Sequence, residues 1–308
     1  MRRLSLVLLA ACGGGGSDEP STPAAEPDAL AAAVSQAELS GSIQGLEALE
    51  TRFTMGDGDD RAKDYLVGRF TQLGLTAELD PFPVAGETAN NIIVKHPGTV
   101  TPEVVYLFSA HYDSTSTAPM TDAPGADDNA TGVAAVIEAA RVLTPHAFEH
   151  SIWFVLTAAE EQGSMGSKHM TTWMPSSGFE FRGVIAPDMI GYWPKGDADE
   201  MDILGDTASQ FMVDHMAEVA TRLGVAHKTY IQHGFCYGDD HTSFQEAGIP
   251  AISPMDCVEA HNVAGSAEDT PHYHATSDRF DTLHMPKTTK VAGVIVATLA
   301  ELAVPTAR

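Results

Sequence analysis

The sequence predicts an α/β fold, a single globular domain whose mostly parallel central sheet is flanked by helices. Three observations carry that expectation. Apolar runs of strand length recur along the chain, helical periodicities fall between them, and the runs end in acidic or imidazole side chains. Near-continuous apolar strands alternating with helices describe a sheet buried on both faces. The strand ends of such a sheet are where ligands and metals converge.

The first eleven residues stand apart from that domain. Arg2 and Arg3, the apolar run over residues 4–9 and the small residues Ala10 and Ala11 have the layout of an export leader. With Cys12 in the next place, the box resembles a bacterial lipoprotein signal, in which Cys12 becomes the lipidated first residue. Plain secretory cleavage nearby is the other reading. The run is far shorter than the roughly 20 residues a membrane span needs. The expectation is an exported protein, anchored to a membrane of a bacterial cell envelope through Cys12 and facing the periplasm or the surface.

Residues 12–28, rich in Gly, Ser, Pro and acid, have little to bury and read as a flexible tether. The folded domain is expected over 29–308. Helical composition runs from 29 to about 51, and a second helix is predicted over 60–73. Ala62, Leu66, Phe70 and Leu73 form its buried stripe and Gly74 its C-terminal cap. Strands are predicted at 91–95, 104–110, 152–157, 184–186 and 251–253. Helices are predicted at 130–143, 208–223 and 291–302, the last with Val291, Ile295, Leu299 and Leu302 on one face. No internal repeat or further domain boundary is evident.

The 308 residues carry 17 basic and 42 acidic side chains, a formal net charge of −25. No basic patch argues for nucleic acid. Acidity of this degree favours solubility, cationic metals and substrates with a free amine. Apart from Cys12 the cysteines are Cys236 and Cys257. In an exported protein they most simply form a disulfide; buried thiols or zinc ligation are the alternatives.

Five patches concentrate the chemistry: His111-x-Asp113, Asp127-Asp128, Glu160-Glu161, Asp188 and His274. A lone histidine beyond a buried strand is usually structural, but Asp113 nearby can accept its second N–H and fix its tautomer. The acid turn before the helix at 130 could be capping alone. Capping needs one residue, however, and Asp127, Asp128 and Asn129 stand together. Two glutamates at the mouth of a buried strand are costly unless a cation meets them. Two imidazoles, three liganding carboxylates and a spare carboxylate are the parts of a two-metal hydrolytic site. His272 is the rival to His274.

The segments SAHYDS, PGADDNATG, AAEEQGSMGS, APDMIGY and YHATSD resemble, in order, those of the M28 family of zinc peptidases. The resemblance spans about residues 60 to 303. It implies two Zn²⁺ per chain, with Asp128 bridging, His111 and Asp188 completing one shell, and Glu161 and His274 the other. It further implies Glu160 as general base, Asp113 as the carboxylate orienting His111, and a cis peptide bond between Asp128 and Asn129. The implied reaction is removal of N-terminal, preferentially apolar, residues from peptides by a hydroxide held between the zinc ions. Met189, Phe235, Tyr237, Met255 and Tyr273 are candidate pocket residues, each as readily ordinary core.

The alternatives are a single-zinc glutaminyl cyclase, a carboxypeptidase or dipeptidase of the same family, and a receptor that has lost catalysis. The cyclases have tryptophan where this chain has Tyr273. A carboxypeptidase needs a cation for the substrate carboxylate, and none is evident. A receptor lacks ligands, and here every ligand position is filled.

Overall fold

The computed structural model describes residues 23–232, 238–256 and 270–307. In chain order the helices are α1 (Pro27–Ala32), α2 (Gln36–Glu47), α3 (Asp57–Gln72), α4 (Ala130–Leu143), α5 (Met165–Trp173), α6 (Gln210–Arg222), α7 (Asp240–Glu246) and α8 (Met285–Ala303). The strands are β1 (Glu78–Val84), β2 (Glu87–His96), β3 (Thr101–His111), β4 (Ala147–Phe148), β5 (His150–Thr157), β6 (Glu180–Ile185), β7 (Met201–Gly205), β8 (His227–Ile231), β9 (Ala251–Met255) and β10 (Pro305–Thr306). Eight of them form one sheet in the order β1-β2-β5-β3-β6-β9-β7-β8. The centre, β5-β3-β6-β9, is parallel. The β1-β2 hairpin, its junction with β5, and the β9-β7 pair are antiparallel.

Burial on both faces explains the apolar runs. Along β3, Tyr106, Phe108 and Ala110 join the larger core, while Val105 and Leu107 join the smaller one. Along β5, Ile152, Phe154 and Leu156 alternate with Trp153 and Val155 in the same way. Successive strand residues point to opposite faces, so both sets must be apolar. The larger core packs α2, α4, α6 and α8 on one side. The smaller holds Met170 of α5 and Phe244 of α7 on the other.

The helix expected from 29 to 51 is two helices. Ser35 breaks it, because its hydroxyl accepts the Glu38 N–H while its own N–H donates to Glu138 Oε1 at 2.5 Å. The next helix starts at Asp57 rather than 60, with Asp57, Asp59 and Asp60 in its positively polarised first turn. Its stripe is buried at Ala62, Leu66 and Phe70, and Gly74 follows its end at φ +75° as a glycine cap should. Strands β1, β7 and β8 were not anticipated. In β1 and β8 most positions are exposed or half-buried, and Asp202 interrupts β7.

Candidate metal centre

The parallel strands β3, β5 and β6 deliver their C-terminal ends to one edge of the sheet. His111 is the last residue of β3, Glu160 and Glu161 follow β5, and Asp188 follows β6. The turn at 127–129 leads into α4, where Asn129 Oδ1 accepts the Gly132 N–H at 2.9 Å and serves as cap. The Asp128–Asn129 peptide bond is cis. Ala159, Met189 and His274 adopt positive φ of 57°, 50° and 50°. Left-handed backbone at non-glycine residues is disfavoured and collects where surrounding structure enforces it.

The side chains converge as two trios. His111 Nε2 lies 3.4 Å from both Asp128 Oδ1 and Asp188 Oδ1. His274 Nε2 lies 3.4 Å from Asp128 Oδ2 and 3.0 Å from Glu161 Oε2. Asp128 therefore gives one oxygen to each trio. Ligand atoms about 2.0–2.1 Å from a tetrahedral zinc ion stand roughly 3.3–3.4 Å from one another, and three of the four spacings match. Glu161 Oε1 is buried without a hydrogen-bond partner, which is expensive unless a cation meets it. The two groups, one imidazole and two carboxylates each, fit a pair of divalent ions.

Electrostatics follow from crowding. Burial works against the charged form of Asp128, yet hydrogen bonds from His111 and His274 outweigh it and hold its carboxyl well below the usual range. Burial and the Asp128 charge push Glu161 up to about 7, and burial raises Asp188. Burial opposes the charging of His274, but Asp128 and Glu161 lift it to about 10. Burial likewise opposes charging of His111, which Asp188, Asp113 and Asp128 raise well above the ordinary value. An incoming metal ion displaces such protons, so its binding is linked to pH. Glu160 belongs to neither trio. Burial, with Asp240 and Asp188 nearby, raises its pKa strongly against the pull of His111; Ser164 Oγ lies 3.1 Å from its Oε1 and donates to the Gly238 carbonyl at 2.6 Å.

Three further carboxylates each clamp two consecutive backbone N–H groups. Asp113 accepts from Glu160 at 3.0 Å and Glu161 at 3.2 Å. Asp278 accepts from Asp127 at 2.8 Å and Asp128 at 3.0 Å. Asp127 accepts from Gly191 at 2.7 Å and Tyr192 at 3.0 Å, just beyond Asp188. The expected contact of Asp113 with His111 is looser than these. His111 Nδ1 lies 3.6 Å from the carboxylate and 3.3 Å from the Asp113 carbonyl. Sequence reasoning missed the amide clamps, although Asp127 and Asp278 lie inside the motifs it singled out.

Of the two candidate histidines, His274 reaches the carboxylates, whereas His272 Nδ1 pairs with Ser277 Oγ at 2.9 Å. Met189 is 3% exposed, and Met255 packs with Leu204 and Tyr230. Both occupy core positions. Tyr273 is half-buried and stacks on the His274 ring at 3.8 Å. Phe235, Tyr237, Cys236, Cys257 and Cys12 lie outside the described residues.

Comparison with known proteins places this geometry among relatives. The model of peptidase family M28 matches residues 91–299. A protein of Pyrenophora teres f. teres described as a probable zinc metalloprotease is 28% identical, over 92% of this chain and 70% of its own. Aminopeptidase YwaD of Bacillus subtilis is 28% identical over 70% of this chain and 45% of its own. Among solved structures, the Legionella pneumophila LapA aminopeptidase superposes with a TM-score of 0.75 at 23% identity, over 90% of this chain and 74% of that one. Fimbriiglobus ruber glutaminyl cyclase superposes with a TM-score of 0.70 at 18% identity, over 86% and 95%. At such identities the superpositions speak for the fold.

Proposed function

The chain belongs to peptidase family M28, and from that premise we propose that it is an aminopeptidase working with two zinc ions. The observation that carries the two-ion reading is the division of the Asp128 oxygens between the trios. His111, Asp188 and Asp128 Oδ1 would hold one ion; His274, Glu161 and Asp128 Oδ2 would hold the other. Zinc held there acidifies water and polarises a carbonyl.

The chain's own groups handle the protons and the positioning. Glu160 stands beside the trios without joining them, which leaves a carboxylate to take and return a proton. Its carboxylate accepts the proton of the attacking water and gives it to the leaving amine nitrogen. Asp113 fixes the backbone of Glu160 and thereby its reach. A free substrate amine suits the acidic surroundings. The same proposal places the enzyme outside the cytoplasm, tethered through Cys12.

Glu160→Ala is expected to retain two zinc ions per chain and to lose turnover about 10²- to 10⁴-fold. Retained turnover would remove Glu160 from the mechanism. The similarity in fold to a glutaminyl cyclase supports a second reading, a transferase with one metal ion. Metal analysis of the wild type separates the two, because one zinc per chain favours the cyclase. Cleavage that persists on peptides with blocked N-termini would contradict the aminopeptidase assignment.

A further inference from the structure

We infer that Arg52 is a positioning residue that joins the two halves of the metal centre, an inference that rests on the two-ion reading above. The carboxylate clamps divide the ligand-bearing segments into two groups. Asp113 ties the end of β3, with His111, to the Glu160-Glu161 segment. Asp278 ties the His274 loop to the Asp128 turn, and Asp127 ties that turn to the segment after Asp188. None of the three clamps crosses between the groups. Each trio, however, draws ligands from both: His111 meets Asp128 and Asp188, and Glu161 meets Asp128 and His274. The β3–β6 pairing holds the Asp188 segment beside β3, but the Asp128 turn lies outside the sheet, and its slip past the His111 group would open both trios together.

Arg52 spans that division. Its side chain is wholly buried. Nε donates to the carbonyl of Tyr112, beside His111, at 2.7 Å. Nη1 and Nη2 donate to the carbonyls of Pro124 and Gly125, in the turn that carries Asp128, at 2.6 and 2.8 Å. A planar guanidinium holds three acceptors in fixed relation, which a lysine ammonium on a flexible stem does not. A parallel strap runs alongside: Arg52 N–H donates to Ser114 Oγ at 3.2 Å, and Ser114 Oγ donates to the Ala123 carbonyl at 2.7 Å. Two residues on, the Thr54 hydroxyl donates to the Asp113 carboxylate at 3.2 Å. Burial lowers the Arg52 pKa to about 10, with Asp278, Asp113, Asp128 and Glu161 opposing the fall. The group is thus cationic at neutral pH and offsets carboxylate charge on both sides.

The test uses the full chain and zinc alone as probe. Arg52→Lys keeps the charge and loses the fork; Arg52→Met loses both. Zinc affinity is measured by competition with a chromophoric chelator, and ligand geometry by the visible spectrum of the cobalt-substituted protein. A core variant on α8, Ile295→Val, controls for stability. Arg52→Lys is expected to weaken zinc binding about tenfold and Arg52→Met about a hundredfold, the range seen when groups supporting metal ligands are removed. Both ions should weaken together, and the cobalt spectrum should change at full occupancy. The control should leave affinity and spectrum unaltered. If Arg52→Met fails to fold, Arg52→Lys decides alone. Wild-type affinity and spectrum in Arg52→Lys overturn the role of the fork. A wild-type chain that takes up fewer than two zinc ions in the same titration overturns the two-ion reading instead.

Discussion

Asp127, Asp128 and Asn129 stand in one turn and do three different jobs, because successive side chains there leave the backbone in different directions. Asp127 faces inward to the amides of Gly191 and Tyr192, Asp128 faces both imidazoles, and Asn129 caps α4. A carboxylate without such partners behaves otherwise. Asp59, in the first turn of α3, is 5% exposed and its Oδ1 has no hydrogen-bond partner. Burial and the Asp113 charge push its pKa up to about 7, which the neighbouring Tyr112 hydroxyl only partly offsets. Between about pH 4 and 7 the folded chain therefore keeps a proton that the unfolded chain has released, and stability falls as pH rises through that window. Asp59→Asn removes the burden. In urea titrations of the metal-free protein it should gain about 2–4 kcal/mol over the wild type at pH 8. At pH 4 the gain should nearly vanish. A difference independent of pH would mean that Asp59 carries no such burden.

At the scale of elements, the central strands were legible because burial on both faces demands unbroken apolar runs, as in β3 and β5. Four of the five ligand patches were legible because each stands at or near the end of a predicted element; His274, between the strand at 251–253 and the helix at 291–302, was legible only through the YHATSD segment. Edge strands lacked the first signal: the β8 residues His227–Ile231 are all exposed or half-buried. Arg52 lacked both, since its carbonyl partners lie 60 to 73 residues away and no local pattern marks them. The turn before α4 shows what such long-range contacts ask of the backbone. Gly125 has φ +51°, and a Cβ there would stand 2.4 Å from the Asp128 carbonyl oxygen and 2.7 Å from Arg52 Nη2. Gly125→Ala should therefore cost at least about 2 kcal/mol, from left-handed strain plus the clash, and should weaken zinc binding. Gly74 is the comparison: it too has positive φ, at +75°, but nothing lies within 4 Å of its added Cβ. Gly74→Ala should cost about 1 kcal/mol and leave zinc affinity unchanged. Equal zinc affinity in the two variants would show that the turn does not govern the trios.

For the whole molecule, charge and anchoring are the remaining levers. No helix among the described residues is long and apolar enough to cross a membrane. The proposed attachment is through Cys12. Cys12→Ser should move the protein from the membrane fraction to the soluble one without altering kcat; membrane retention of that variant would contradict the anchor. The charge balance ties the fold to its metal. The chain carries a formal charge of −25, and Asp113, Asp127, Asp128 and Asp188 are all buried around the trios, with Glu160 and Glu161 beside them. Two divalent cations would neutralise four of those charges and satisfy the orphaned Glu161 oxygen. Free zinc at a hundred times the dissociation constant stabilises the folded state by about 2.7 kcal/mol per site. Stripping both ions should then lower the melting temperature by roughly 10 °C or more in a domain of this size. Added salt should restore only part of that loss, because buried charges are screened far less than exposed ones. A chelated protein that melts with the zinc-loaded one, after metal loss is verified, would mean that repulsion among these carboxylates is relieved by protons alone and that the trios were not built around cations.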